Sequence, residues 1–96
     1  MNFDANTPIY LQIMDDFKKR MIKGEWSQNK KIASVRELAV DYGVNPNTIQ
    51  RSLSELEREG LLYSERTNGR YVSDDETLLK QLKDDYATFI NITELS

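Results

Sequence analysis

The feature that most constrains this chain is a pair of capped helix starts, close together in its middle. Ser34-Val35-Arg36-Glu37 has the form of a capping box. In such a box the serine hydroxyl accepts from the amide three residues on, and the glutamate reaches back to the serine amide. Val35, Leu38 and Ala39 then point inward, and Gly43 stops the helix. After a single spacer, Val44, the pair Asn45-Pro46 repeats the cap-then-proline signal. The helix that follows, over Asn45–Glu59, carries Ile49, Leu53 and Leu56 at spacings of four and three and ends at Gly60. Two helices joined by a turn of about three residues are the sequence form of a helix-turn-helix.

The flanks are equally legible. Thr7 is read as an N-cap with Pro8 at the first helical position. Ile9, Ile13, Phe17 and Met21 then recur every four residues, with Met14 and Ile22 beside them, as one apolar face. Lys18, Lys19, Arg20 and Lys23 suit the negative end of that helix, and Gly24 ends it. Trp26, in the loop from Glu25 to Ala33, is expected to pack on this helix. Beyond Gly60, Leu61–Glu65 and Arg70–Ser73 read as strands. Asn68-Gly69 serves as a two-residue turn that sets Thr67 opposite Arg70 and Glu65 opposite Val72. From Asp74 the pattern is helical again. Leu79, Leu82, Tyr86 and Phe89 form a heptad seam flanked by Leu78 and Ile90, behind an acidic first turn. The predicted fold is therefore α+β, mainly α. Three helices and a β-hairpin wing occupy residues 1–73, and a C-terminal helical segment for dimerisation occupies 74–96.

Composition narrows the function classes. With 96 residues the chain makes one domain with a modest core. It has no cysteine and no histidine, which removes the commonest zinc sites and most acid–base catalysts active near neutral pH. Asp15/Asp16, Asp74/Asp75 and Asp84/Asp85 are adjacent pairs, and adjacent side chains diverge rather than converge on one substrate atom. No phosphate-binding glycine loop, nucleophile elbow or metal triad is present, so neither an enzyme nor a cofactor or metal site is expected. Met1–Thr7 lacks the basic start and apolar stretch of a signal peptide, and no apolar run approaches the ~20 residues of a membrane span, so a cytoplasmic protein is expected. The net charge of −3 does not itself suggest a nucleic-acid partner. The charge is uneven, however: residues 1–26 are neutral, 27–73 carry +1 and 74–96 carry −4. A DNA face must then come from where individual arginines and lysines point.

The polar positions at the start of the Asn45–Glu59 helix are Asn45, Asn47, Thr48, Gln50 and Arg51. Asn and Gln bond adenine with two hydrogen bonds, and Arg bonds guanine or phosphate. Ser34 is a cap. Arg36 is by default solvated, but at a helix start whose amides face the same way it is placed to reach a phosphate. At the turn, Arg66 and Arg70 are candidates for phosphate contact, and Asn68-Gly69 lets backbone approach DNA closely. The Leu79–Phe89 seam either folds back on its own domain or joins two subunits. The match between two-fold dimers and two-fold operators favours the second. The acidic tail keeps open another class, a protein-interaction module built on the same fold.

Five segments, Pro8–Ile13, Ser34–Ala39, Val44–Arg51, Leu56–Leu61 and Gly69–Val72, resemble in order the GntR-family winged helix-turn-helix regulators, and the opening and tail resemble the YtrA-like branch. The resemblance covers Thr7 to about Ser73. It implies a bacterial transcription regulator, usually a repressor, that holds a palindromic operator as a homodimer. It implies DNA contacts at Arg36, Asn45, Asn47, Thr48, Gln50 and the Asn68-Gly69 tip. Two departures stand out. Asn29 takes the place of a family glycine, and Ile32-Ala33-Ser34 that of a Leu-Pro-Ser tripeptide. Larger relatives carry a ligand-binding domain and YtrA-like ones two C-terminal helices. Here one long helix fits, so no dedicated effector domain is expected, although an effector is left open.

Overall fold

A computed structural model of the chain describes residues 5–95, with the side chains of 88–95 outside that description. The element order is α1 (Ile9–Ile22), α2 (Val35–Tyr42), α3 (Pro46–Arg58), β1 (Leu62–Glu65), β2 (Gly69–Val72) and α4 (Glu76–Leu95). This is the mainly helical arrangement with a hairpin that the sequence predicts.

Helix α1 begins one residue later than expected. Pro8 has extended backbone (φ −53°, ψ 136°) and is itself the N-cap, without a side-chain cap bond. Its carbonyl accepts from the Leu11 and Gln12 amides, and the Gln12 side chain donates to the Thr7 carbonyl at 2.8 Å. The buried face of α1 runs through Ile13, Met14, Phe17 and Met21, whereas Ile9 lies outside it at 43 % exposure. Phe17 is the centre of the core. Trp26 stacks on it at 4.7 Å between ring centroids, and Tyr42 meets it edge-on at 5.2 Å. The expected Trp26 contact is thus made, and the Arg20 guanidinium lies 5.1 Å from the centre of the same indole.

Helices α2 and α3 form as the caps require. Ser34 Oγ accepts from the Glu37 amide at 3.1 Å, and Asn45 Oδ1 accepts from the Asn47 amide at 2.8 Å. Between them Gly43 takes the left-handed conformation (φ 66°), which turns the chain within Gly43-Val44-Asn45. Leu38, Ile49, Leu53 and Leu56 are each at most 1 % exposed. Ser52 is fully buried as well, a position whose polarity hides its place in the core. Its hydroxyl lies 3.0 Å from both the Thr48 and Tyr10 carbonyls, so it pins α3 to α1.

The hairpin corrects the predicted register. β1 and β2 pair Leu62 with Val72, Tyr63 with Tyr71, Ser64 with Arg70 and Glu65 with Gly69. The loop is therefore Arg66-Thr67-Asn68, not the two-residue Asn68-Gly69, and Thr67 and Glu65 do not face Arg70 and Val72. Burial decides this. The observed register sets Leu62 and Val72, 3 % and 0 % exposed, opposite each other over the core. The predicted register would have paired Val72 with a charged Glu65. Gly69 alone in the turn needs positive φ, at 114°.

A third extended segment, which no local pattern in the sequence marks, lies beside the hairpin. Backbone bonds run from the Asn29 amide to the Val72 carbonyl, from the Val72 amide to the Lys30 carbonyl and from the Ile32 amide to the Arg70 carbonyl, with a bridge between Lys31 and Tyr71. The loop before α2 thus covers the outer edge of β2. Asn29, at the family's glycine position, has φ 62°, a conformation asparagine tolerates better than most residues.

Helix α4 starts at an acidic cap, where Asp75 Oδ1 accepts from the Leu78 amide at 3.1 Å. Its seam does not stand free of the domain. Leu82 is 7 % exposed and belongs to the core, with Leu78, Leu79 and Tyr86 packed against it. Tyr86 donates to Asp15 on α1 at 2.5 Å. For these four residues the fold-back alternative is the one the structure shows, because α4 lies against α1 and buries Leu82 in the chain's own core. Phe89 and Ile90, the other two seam residues, have side chains outside the described part.

Candidate nucleic-acid interface

The first two turns of α3 divide cleanly. Ile49, Ser52 and Leu53 face the core, Thr48 is half-buried, and Asn45, Asn47, Gln50 and Arg51 are exposed. That split follows from helical period: positions 49, 52, 53 and 56 fall on one side and 47, 50, 51 and 54 on the other. Two of the exposed groups are already oriented. Gln50 Nε2 donates to Ser54 Oγ at 3.2 Å, and the Arg51 guanidinium lies 3.7 Å above the Tyr10 ring. Arg51 thus rests over the Tyr10 ring of α1 in a cation–π contact.

Charge on α3 is also divided. Residues 45–54 include no acid. The three glutamates of the other half are each matched. Glu55 pairs with Arg58 at 2.5 Å, Glu57 with Arg70 at 2.5 Å and Glu59 with Lys18 at 2.9 Å. A helix that looks nearly neutral in composition therefore presents a start free of negative charge and an end whose negative charge is neutralised by its neighbours.

The other predicted contacts lie on α2 and the hairpin. Arg36, in the first turn of α2, is exposed and makes no side-chain bond among the described residues. Arg66 at the hairpin tip is likewise exposed, as are Asn68 and Gly69. Ser34 is exposed, with its hydroxyl used by the cap. Arg70 differs. It is half-buried and paired to Glu57, so it lies below the tip rather than on it. One cation joins the surface that its place in the sequence does not announce. Lys31 reaches across the hairpin, with Cε 3.2 Å from where a Cβ on Gly69 would lie, and it lines with Ser34, Asn68 and Gly69 a cleft of about 540 Å³ between the tip and α2. Its signal, a lone lysine in a loop, becomes meaningful only once that loop is laid along β2.

Behind the interface two tyrosines brace the helices. Tyr42 on α2 bonds Asp16 and Arg20 of α1, and Tyr86 on α4 bonds Asp15. Burial, followed by the carboxylate acceptors, raises both hydroxyls well above the ordinary tyrosine value. The adjacent Asp15/Asp16 pair thus diverges as expected, each carboxylate holding a different helix. No group of three or more acidic side chains among the described residues is arranged to hold a metal, and no described helix is long and apolar enough to cross a membrane.

A capped helix pair with an acid-free recognition face, flanked by a hairpin, defines the winged helix-turn-helix class of DNA-binding domains. The model of the gntR family of bacterial regulatory proteins matches residues 9–72. The chain belongs to that family. It is 42 % identical over 82 residues to the uncharacterised HTH-type transcriptional regulator YhcF of Bacillus subtilis, covering 85 % of this chain and 68 % of that protein. It is 42 % identical over 71 residues to the HTH-type transcriptional repressor YtrA of the same organism, covering 74 % of this chain but only 55 % of the relative. Among solved structures it is similar to a GntR family transcriptional regulator from Listeria monocytogenes (TM-score 0.85, 36 % identity, 97 % of this chain and 82 % of that one). It is also similar to the DNA-binding domain of AraR crystallised with operator ORR3 (TM-score 0.68, 27 % identity, 76 % of this chain and 88 % of that one).

Proposed function

We propose that this chain is a sequence-specific transcriptional repressor that holds a palindromic operator as a homodimer in the bacterial cytoplasm. The observation that carries the reading is the exposed, acid-free start of α3, with Asn47, Gln50 and Arg51 on its outer side. In the winged-helix mode α3 enters the major groove by this end. Gln50 and Asn47 then meet base edges, where their amides match adenine, and Arg51 meets guanine or a phosphate. Arg36 and the α2 amides neutralise and hydrogen-bond the flanking phosphates, and Arg66, Lys31 and the amides around Asn68-Gly69 hold the backbone on the other side of α3. Asn45 and Thr48 sit at the edge of the same surface. Bound in this way, the protein represses by covering the DNA that polymerase needs.

Three lines support the reading beyond the geometry. The related AraR domain is crystallised on operator DNA, the related YtrA is named a repressor, and the family is one of regulators. The dimer rests on α4. Its 20 residues span about 30 Å, and intrachain packing occupies the stretch up to Tyr86, so the remaining turns are the part we assign to the partner subunit. Residues 1–73 then read DNA, and within 74–96 the turns beyond Tyr86 pair subunits.

Selection of bound duplexes from a random pool tests this directly. The expected product is an inverted repeat with half-sites about one helical turn apart. The double variant Arg36→Ala/Gln50→Ala should lose most binding, and the salt slope should fall by about one unit for the lost phosphate contact. A pool that yields no preferred sequence at low salt would instead support the protein-interaction reading, and full binding by the double variant would overturn the site assignment.

A further inference from the structure

Arg70 is expected from sequence to contact DNA, yet the fold uses it elsewhere. Its Nε donates to Glu57 Oε1 at 2.5 Å, and Ser64 Oγ donates to the same oxygen at 2.5 Å. Ser64 and Arg70 are directly cross-strand partners in the hairpin. One carboxylate oxygen on α3 therefore ties both strands of the wing at their midpoint. Below this point Leu62 and Val72 are buried, and above it only Glu65, the three-residue loop and Gly69 remain. Segment 29–32 holds the outer edge of β2 through backbone bonds as far as Arg70. The Glu57 carboxylate adds a side-chain tie from α3 to both strands, and so helps set the angle at which the tip stands to that helix.

We infer that Glu57 is a positioning residue for DNA binding, clamping the wing at a fixed angle to the recognition helix through Ser64 and Arg70, and that Arg70 serves this clamp rather than a phosphate. The inference rests on the DNA-binding reading above for its consequence, but not for the clamp itself. Both partners are partly exposed, Arg70 at 20 % and Glu57 at 29 % for the side chain, and ion pairs in that setting add little to stability. The role is geometric. A tip carrying Arg66 and Asn68 reaches the backbone only if it and α3 bridge the same stretch of duplex, and a wing free to swing gives up part of that contact as entropy. The Arg70 guanidinium also offsets the charge of the Glu57 carboxylate on a helix that approaches phosphates.

Two experiments test the inference. The first needs no DNA. The chain has no cysteine, so Val40→Cys (α2, 78 % exposed) and Thr67→Cys (wing tip, exposed) give one clean pair of spin-label sites. Glu57→Gln should broaden the measured label-to-label distance distribution, and an unchanged distribution would overturn the clamp. The second measures affinity for the selected duplex. Glu57→Gln should weaken it about tenfold, roughly the value of one lost contact, while the melting temperature stays near that of the parent. In an Arg66→Ala/Asn68→Ala background, whose tip no longer holds DNA, the same substitution should cost almost nothing further. Undiminished affinity in Glu57→Gln, or a full tenfold loss in the tip-deleted background, would overturn the positioning role. So would a fall of about one unit in salt slope on Arg70→Ala in that same tip-deleted background, the mark of a direct phosphate contact by Arg70 itself. If the parent chain binds no duplex while Glu57→Gln still broadens the distances, the function proposed above fails and the clamp stands.

Discussion

Asn45 combines two roles that substitution can separate. Its backbone is extended (φ −65°, ψ 138°), and its Oδ1 accepts from the Asn47 amide at 2.8 Å, so it caps the recognition helix at the point where that helix meets DNA. Asn45→Ala removes the acceptor. Because the position is exposed, water partly replaces the bond, and the cost is about 1 kcal/mol. For a chain of this size that lowers the melting temperature by about 4–8 °C. Asn45→Ser restores a capping oxygen and should melt within about 2 °C of the parent. Asn45→Asp caps equally well and adds a negative charge at the positive end of the helix dipole, so it should melt as high as the parent or higher. Binding should follow a different order. A carboxylate here sits beside phosphates, and at a few ångström in a partly aqueous setting that repulsion is about 1–2 kcal/mol, roughly a tenfold loss of affinity. The aspartate variant should therefore be among the most stable and the weakest in binding. Thermal melts by circular dichroism and fluorescence anisotropy on the selected duplex give both orders. An alanine variant that melts with the parent would refute the cap, and an aspartate variant that binds as tightly as the parent would refute the approach of α3 by its start.

Further outcomes follow from the same contacts. Tyr42 and Tyr86 have their hydroxyls raised from an ordinary value of 10.0, so the neutral form is favoured in the folded chain. Their contribution to stability is whole below about pH 10 and declines as pH rises past it. The urea midpoint should fall in that alkaline range, and it should fall less in a Tyr42→Phe/Tyr86→Phe variant. Leu82→Ala should cost about 2–4 kcal/mol in chemical denaturation, since Leu82 is buried within the chain itself; a midpoint close to the parent would show that α4 is not docked as described. Gly69→Ala places a side chain at φ 114° with its Cβ 3.2 Å from Lys31 Cε, and should destabilise the hairpin by about 1–3 kcal/mol, visible as faster amide exchange in β1 and β2.

Local chemistry makes much of this protein legible in its sequence. Caps act over two or three residues and helical faces over three or four, so Ser34, Asn45, Gly43 and the Ile49/Leu53/Leu56 stripe declare themselves. They fix the helix pair and, by subtraction, the outward set Asn47, Gln50 and Arg51. The existence of a hairpin is local too, marked by Asn68-Gly69. Its register is not. That depends on which residues the core will accept, and burying Leu62 against Val72 outweighed the turn signal. Ion partners are equally beyond the sequence, because they depend on surfaces that meet only after folding. Arg70 and Arg66 look alike in the chain, yet one is taken by Glu57 and the other stays at the exposed tip. Lys31 gains its place at the cleft only when 29–32 lies along β2, and the α4 seam is drawn inward because α4 packs against α1. The sequence by itself determined the helices, the caps of α2 and α3 and the outward polar face of α3, since each is decided by neighbours a few residues away. Tertiary structure alone decided the wing's register, its tie to α3 and the docking of α4, since each is a competition between residues far apart in the chain for the same buried or charged surface.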